Sequence, residues 1–238
     1  MEQYETFPLS SLLSGNAYPG RGLVLGLSAD GTKAIAAYFI MGRSTNSRNR
    51  VFTETEDGIK TEAFDPAAME DPSLIIYHPV RELNGQLIVT NGDQTDTIRD
   101  GLAEGKTMSE SLKSREFEPD QPNYTPRISG VIHEDGSYEM SILKSLYGDP
   151  SCCCRYTFDY DKPKAGLAHF IHTYVGDGSP LPSFVGEPED VSIDSPDPQS
   201  LAQLLWKSLN EDNKVSLYVC YTELSTGKRS VVICNKNQ

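Results

Sequence analysis

Positive charge is scarce in this chain. It has 21 Lys and Arg against 34 Asp and Glu, a formal net charge of −13 over 238 residues. So acidic a chain is a poor general binder of DNA or RNA, because no cationic excess offsets phosphate repulsion. A few arginines gathered locally can still hold a small anion. Long apolar runs are missing as well. No stretch of about 18 apolar residues exists, so no transmembrane helix and no membrane partner are expected. The opening Met1-Glu2-Gln3-Tyr4-Glu5 lacks the basic-then-apolar layout of a signal peptide, which points to a cytoplasmic location. The five cysteines are odd in number and never spaced Cys-x-x-Cys, which argues against a disulfide framework or a zinc ribbon. An extended Cys152-Cys153-Cys154 would send alternate thiols to opposite faces, away from any one metal. Gly-x-Gly-x-x-Gly and P-loop runs are absent, and with them two common nucleotide-binding frames.

What is present is ordinary for a globular protein: 37% hydrophobic and 23% charged residues, in a chain long enough to bury a full core unaided. One domain over residues 1–238 is expected. Apolar runs come in pairs around turn dipeptides. Leu23–Leu27 and Ala34–Met41 flank Asp30-Gly31, and Arg127–His133 and Tyr138–Leu143 flank Asp135-Gly136. Such Asp-Gly steps suit the type I′ hairpin turn. Val215–Tyr221 and Ser230–Cys234 pair through Ser225-Thr226-Gly227, and Ser73–Tyr77 pairs with Gln86–Thr90 around Asn84-Gly85. Asp197 with Pro198 opens a helix with Leu201, Leu204, Leu205 and Leu209 on one side. A helix over Thr95–Glu104, capped by Thr95 or Asp96, would bury Ile98 and Leu102 and break at Gly105. Thr107 with Glu110 forms a capping box for another. Strands in hairpins with short helices between them predict an α+β fold with largely antiparallel sheets. The Pro-, Gly- and Ser-rich 176–199 reads as a long loop, over a site or simply connecting.

Four polar segments carry candidate chemistry. Tyr18-Pro19-Gly20-Arg21-Gly22 sets an arginine between glycines, either a plain turn or a backbone able to approach a ligand closely. Gly42-Arg43-Ser44-Thr45-Asn46-Ser47-Arg48-Asn49-Arg50 holds three arginines and no acid, a solvated loop or a grip for phosphate and ribose. Thr90-Asn91-Gly92-Asp93-Gln94-Thr95 lies where a strand gives way to a helix, and its polarity fits a cap as well as a site. Thr125-Pro126-Arg127-Ile128 puts an arginine at a strand start. His169 and His172, three residues apart, would face opposite sides of a strand and not share a metal.

Taken in order, these segments resemble the IMP cyclohydrolase family, first recognised in archaea and with bacterial relatives. The resemblance is carried by Tyr18-Pro19-Gly20-Arg21, by Gly42-Arg43-Ser44 with Arg48 and Arg50, and by Asp71-Pro72-Ser73-Leu74-Ile75-Ile76-Tyr77. Asn91-Gly92 followed by Thr95-Asp96-Thr97-Ile98, and Thr125-Pro126-Arg127-Ile128, complete it. It runs from Tyr18 to Leu143, and the C-terminal portion with the two histidines finds no clear counterpart. The acidic residue the family has shortly before Thr-Pro-Arg-Ile is not matched by Pro122-Asn123-Tyr124.

The resemblance implies a four-layer αββα sandwich like that of the N-terminal-nucleophile hydrolases. It does not imply their chemistry, since Met1-Glu2-Gln3 offers no nucleophile. It implies ring closure of a formylated aminoimidazole carboxamide ribonucleotide to IMP, with a purine nucleotide as small-molecule partner and neither cofactor nor metal. Arg21, Arg43, Arg48 and Arg50, with Ser44 and Thr125, would bind phosphate and ribose. Arg127 would hold phosphate or polarise the formyl oxygen, Asn91 and Asp93 would orient the carboxamide, and Tyr77 or Tyr124 would relay a proton. Two other readings remain: an amidohydrolase of the same fold, and a non-catalytic nucleotide-binding protein. Self-association is left open.

Overall fold

A computed structural model describes residues 6–69 and 72–238. The opening residues Met1–Glu5, and Asp71 of the Asp-Pro-Ser segment, lie outside the described residues. In chain order the elements are β1 (Phe7–Pro8), α1 (Leu9–Gly15), β2 (Arg21–Leu27), β3 (Lys33–Met41), α2 (Thr45–Arg48), β4 (Arg50–Thr55) and β5 (Gly58–Ala63). Then follow β6 (Val80–Leu83), β7 (Gln86–Thr90), α3 (Gln94–Ala103), α4 (Met108–Ser111), β8 (Arg127–Ile132) and β9 (Tyr138–Leu146). The chain continues with β10 (Asp149–Tyr160), β11 (Leu167–His172), β12 (Glu189–Ser192), α5 (Pro198–Ser208), β13 (Lys214–Glu223) and β14 (Arg229–Asn235).

The strands form two seven-stranded sheets. The first runs β1-β12-β11-β2-β3-β13-β14, antiparallel except for the β1–β12 pair. The second runs β10-β9-β8-β7-β6-β5-β4, antiparallel throughout. The expected α+β class with largely antiparallel sheets is therefore what the chain adopts.

Side-chain alternation explains the packing. Along β3, Ala34, Ala36, Tyr38 and Ile40 join Leu23 and Leu25 of β2 in a core shared with Phe52, Val80, Leu87, Val89, Ile128 and Met140 of the second sheet. The intervening Ile35, Ala37, Phe39 and Met41 join a separate core with Leu9 and Leu13 of α1 and Leu201 and Leu205 of α5. On the second sheet, Ile88 and Val131 turn the other way, toward Ile98 of α3 and Met108 of α4. The inner strands β2, β3, β8 and β13 are covered on both faces, which is why they read as nearly unbroken apolar runs. The edge strand β4 alternates buried and half-exposed residues over Arg50–Thr53.

Several details depart from the sequence reading. The partner of β7 is Val80–Leu83, not Ser73–Tyr77. Pro72 opens a turn in which its carbonyl accepts from the N–H groups of Ile75 and Ile76, so that segment cannot extend. The turn residues Asn84 and Gly85 both have positive φ, as a type I′ hairpin needs. Asp30-Gly31 and Asp135-Gly136 instead lie within five-residue connections, because Asp30 and Asp135 fold their carboxylates onto the N–H groups of Thr32 and Ser137. On α5, Leu204 is exposed while Leu201, Ala202 and Leu205 are buried; Leu209, just past the last turn, is also buried. Asp93 occupies the cap position of α3, ahead of the expected Thr95 or Asp96, since the Thr95 hydroxyl is engaged with Gly92 and Thr90.

Candidate active site

Strand ends converge at one end of the inter-sheet core. β2, β4 and β8 begin there and β3, β5 and β7 finish there, so segments far apart in sequence deliver polar side chains to one place. Arg21 shares its strand face with Leu23 and Leu25, and Arg50 with Phe52, so both guanidiniums enter the layer between the sheets. Arg50 is fully buried. Its Nε donates to the Ser47 carbonyl of α2 at 2.8 Å, but both terminal nitrogens lack a partner, as does the enclosed Nε of Arg21. Buried polar groups without partners are uncommon and costly, and two guanidiniums side by side are more so.

Tyrosines and a carboxylate surround the pair. The Tyr38 and Tyr77 hydroxyls are 3.0 Å apart and buried. Tyr77 is fastened to β5: the Thr61 hydroxyl accepts from its N–H at 2.9 Å, and the Thr61 N–H donates to its carbonyl at 2.9 Å. Gly20 has φ +79°, and a Cβ there would fall 2.3 Å from the Thr173 Oγ1 and 2.5 Å from the Tyr174 ring. The glycine next to Arg21 thus serves a close approach within the protein.

Glu118 was not singled out in the sequence. It is 4% exposed, on the loop leading to β8, with its N–H donating to the Thr125 carbonyl. Burial pushes its carboxyl up to about 7, against the pull of Arg21 and Arg127, while Asp120 adds to the rise. Burial pulls the Arg21 guanidinium down, but Glu118, helped by Tyr18, Tyr174 and Tyr77, more than reverses this and holds it above its ordinary value. Arg50 is lowered, by burial first and then by the adjacent Arg21. Burial, reinforced by Tyr77, holds Tyr38 well above the usual phenol range. The nearest buried acid thus stands a few residues before the Pro122-Asn123-Tyr124 segment, not within it. Its signal was obscured by the acidic stretch Glu116–Asp120, in which no carboxylate stands out by composition.

The other expected residues have varied positions. Arg43 holds its guanidinium 5.0 Å over the Tyr18 ring and donates to Asp177 at 2.5 Å and to the Gly178 carbonyl at 3.0 Å. This ties the 176–199 segment to the loop that follows β3. Ser44 caps α2 through a reciprocal pair with Ser47, and Arg48 is turned back onto the Gly42 carbonyl and Asn213. Thr125 donates to Asp120 at 2.5 Å and bonds the Tyr174 hydroxyl. Tyr124 packs edge-on against Phe117.

Asp93 and Arg127 are not brought into the arginine pair's layer. The Asn91 amide is engaged by the Pro126 carbonyl, the Ile128 N–H and Gln94. Arg127 alternates with Ile128 and so emerges on the opposite face of the second sheet, where it donates to Gln94 at 2.7 Å and pairs with Asp93 at 2.8 Å. His169 pairs with Asp190 and Tyr138, whereas His172 packs on Phe170 and pairs with Glu189, from the other face of β11.

Comparison with known proteins places these residues in context. The family model described as "IMP cyclohydrolase-like protein" matches residues 18–228. The match continues past Leu143, so it takes in the two-histidine segment that the sequence reading left without a counterpart. The IMP cyclohydrolase of Methanopyrus kandleri is 30% identical over 186 residues, covering 76% of this chain and 84% of that protein. That of Methanococcus aeolicus is 29% identical over 167 residues, covering 66% and 74%.

Proposed function

Because the chain belongs to the IMP cyclohydrolase-like family, we propose that it is an enzyme of purine biosynthesis that closes the ring of IMP. The carboxamide nitrogen of the formylated aminoimidazole carboxamide ribonucleotide attacks the formyl carbon, forming the new C–N bond. The formyl oxygen leaves as water, with one proton from the carboxamide nitrogen and one from the formamide nitrogen. Both reacting groups sit on one imidazole, so orientation within the pocket is most of what the protein must supply.

The observation that carries this reading is the buried Arg50, with two terminal nitrogens awaiting acceptors beside Arg21 and Glu118. The guanidiniums are preorganised donors for the charge that gathers on the formyl oxygen as the bond forms. A carboxyl group near 7 both accepts and returns a proton at neutral pH, so Glu118 deprotonates the attacking nitrogen and protonates the departing oxygen. Tyr38 and Tyr77 line the same chamber as hydroxyl donors. At the mouth, a substrate phosphate displaces the Asp177 carboxylate from Arg43, exchanging one charge-assisted pair for a stronger one. Arg48, Ser44 and Thr125 hold the loops that shape this mouth.

We also take the two sheets and their outer helices as the four-layer αββα sandwich of N-terminal-nucleophile hydrolases, in one domain over 1–238. The shared inter-sheet core and the two outer cores support that reading.

The test is a spectrophotometric assay of IMP formation from the formylated precursor, with Arg50→Met beside the wild type. Removing the donors should lower turnover by about 10²–10³-fold. A folded wild-type protein that binds IMP without forming it would instead make this a non-catalytic nucleotide-binding protein.

A further inference from the structure

Arg127 leaves a second concentration of positive charge unexplained. On the outer face of the second sheet, a cavity of about 410 Å³ is lined by Lys113, Arg115, Arg127 and Arg155, with Asp93 and Glu116 as its acids. Four cations against two carboxylates leave +2 in a chain whose formal net charge is −13. The cations come from three separate places: the segment after α4, the start of β8 and the middle of β10. Such convergence is not the accident of one basic run.

The internal partners only partly use these cations. Arg115 and Arg127 both direct a nitrogen at one oxygen of Asp93, which is itself half exposed. Burial alone would raise the Asp93 carboxyl, but the two arginines hold it below its ordinary value, so it is the anion the cluster already contains. Arg155 donates to the Arg115 carbonyl at 2.7 Å and stands 3.9 Å from Glu116, with its side chain more than a third exposed. Each guanidinium carries five N–H donors in a planar fork suited to tetrahedral oxyanions. Ser114 lines the same space. Arg127 and Ile128 point to opposite faces of β8, so the Arg127 guanidinium opens into this cavity and not into the inter-sheet layer, with the buried Glu118 carboxyl within electrostatic reach of both.

We propose that this cavity binds a phosphate dianion, free or as the terminal phosphomonoester of a small metabolite, at a site distinct from the inter-sheet pocket. The +2 balance matches one dianion, which takes the exposed donors of Arg155 and Lys113 and shares those of Arg115 with Asp93. This site does not depend on the proposed ring closure.

The test is calorimetric titration of the full chain with orthophosphate and, separately, ribose 5-phosphate, each with and without saturating IMP. Wild type should retain a phosphate site when IMP is present. The double variant Lys113→Ala/Arg155→Ala, altered only at exposed side chains, should weaken it by about 10-fold or more per cation removed, with its melting temperature unchanged. Tighter binding of ribose 5-phosphate would identify a phosphomonoester as the ligand, and equal binding free phosphate. No IMP-independent phosphate binding in the wild type, or equal binding in the double variant, would overturn the proposal. Because Lys113 and Arg155 lie outside the inter-sheet pocket, failure of IMP to bind would count against the ring-closure reading and leave this result readable.

Discussion

Exchanging Glu118 for glutamine keeps the shape and charge of the protonated acid and removes its ability to ionise. In the unfolded chain this group ionises near its ordinary 4.5, whereas in the folded protein burial delays ionisation to about 7. Between those values the native state holds a proton that the unfolded state has released, so wild-type stability falls as pH rises through that window. The gap of roughly 2.5 pH units corresponds to about 3 kcal/mol. Glu118→Gln escapes this loss. Chemical denaturation at pH 4.5 should therefore find the two proteins nearly equal, and at pH 8 should find the variant more stable by about 3 kcal/mol. Its ring-closing turnover should meanwhile fall by about 10²–10⁴-fold, the usual range for a general acid–base group. If the stability difference between the two proteins were the same at both pH values, Glu118 would not be the buried, proton-holding carboxyl described here.

Arg43→Ala should raise KM about 10-fold or more while leaving kcat nearly unchanged, since one charge-assisted phosphate contact is lost; steady-state kinetics read both. Leu205→Ala, at a fully buried position of α5, should cost about 2–5 kcal/mol in denaturant unfolding without altering KM. Gly58→Ala should cost about 1–3 kcal/mol. Gly58 has φ +145°, and a Cβ there would stand 2.1 Å from the Val80 carbonyl oxygen, so a lowered melting temperature is the expected reading.

The hairpins and most helices were legible because their signals are local. Asn84-Gly85 sets a turn, Thr107 with Glu110 sets a cap, and two-sided burial makes β2 and β3 continuous apolar runs. Ser73–Tyr77 misled because its apolar residues resemble a strand, while the Pro72 carbonyl closes them into a turn. The arginines were conspicuous by their scarcity in an acidic chain, but which of them enter the inter-sheet layer depends on strand parity. Arg50 goes in with Phe52, and Arg127 goes out opposite Ile128. Glu118 could not be distinguished from Glu116 or Asp120 without knowing which carboxylate the loop buries. Asn91 looked like a ligand group because its role, bonding the backbone at Pro126 and Ile128, appears only once β7 and β8 are side by side.

The central claim is that Arg50, Arg21 and Glu118 form the chamber in which the base is held. A crystal structure of the protein with IMP measures this directly. The purine should lie between the two sheets, with C2, the former formyl carbon, turned toward the Arg50 terminal nitrogens and a water held there in place of the departed oxygen, and with its phosphate near Arg43. IMP seated on an outer face, with those nitrogens still unpaired, would contradict it.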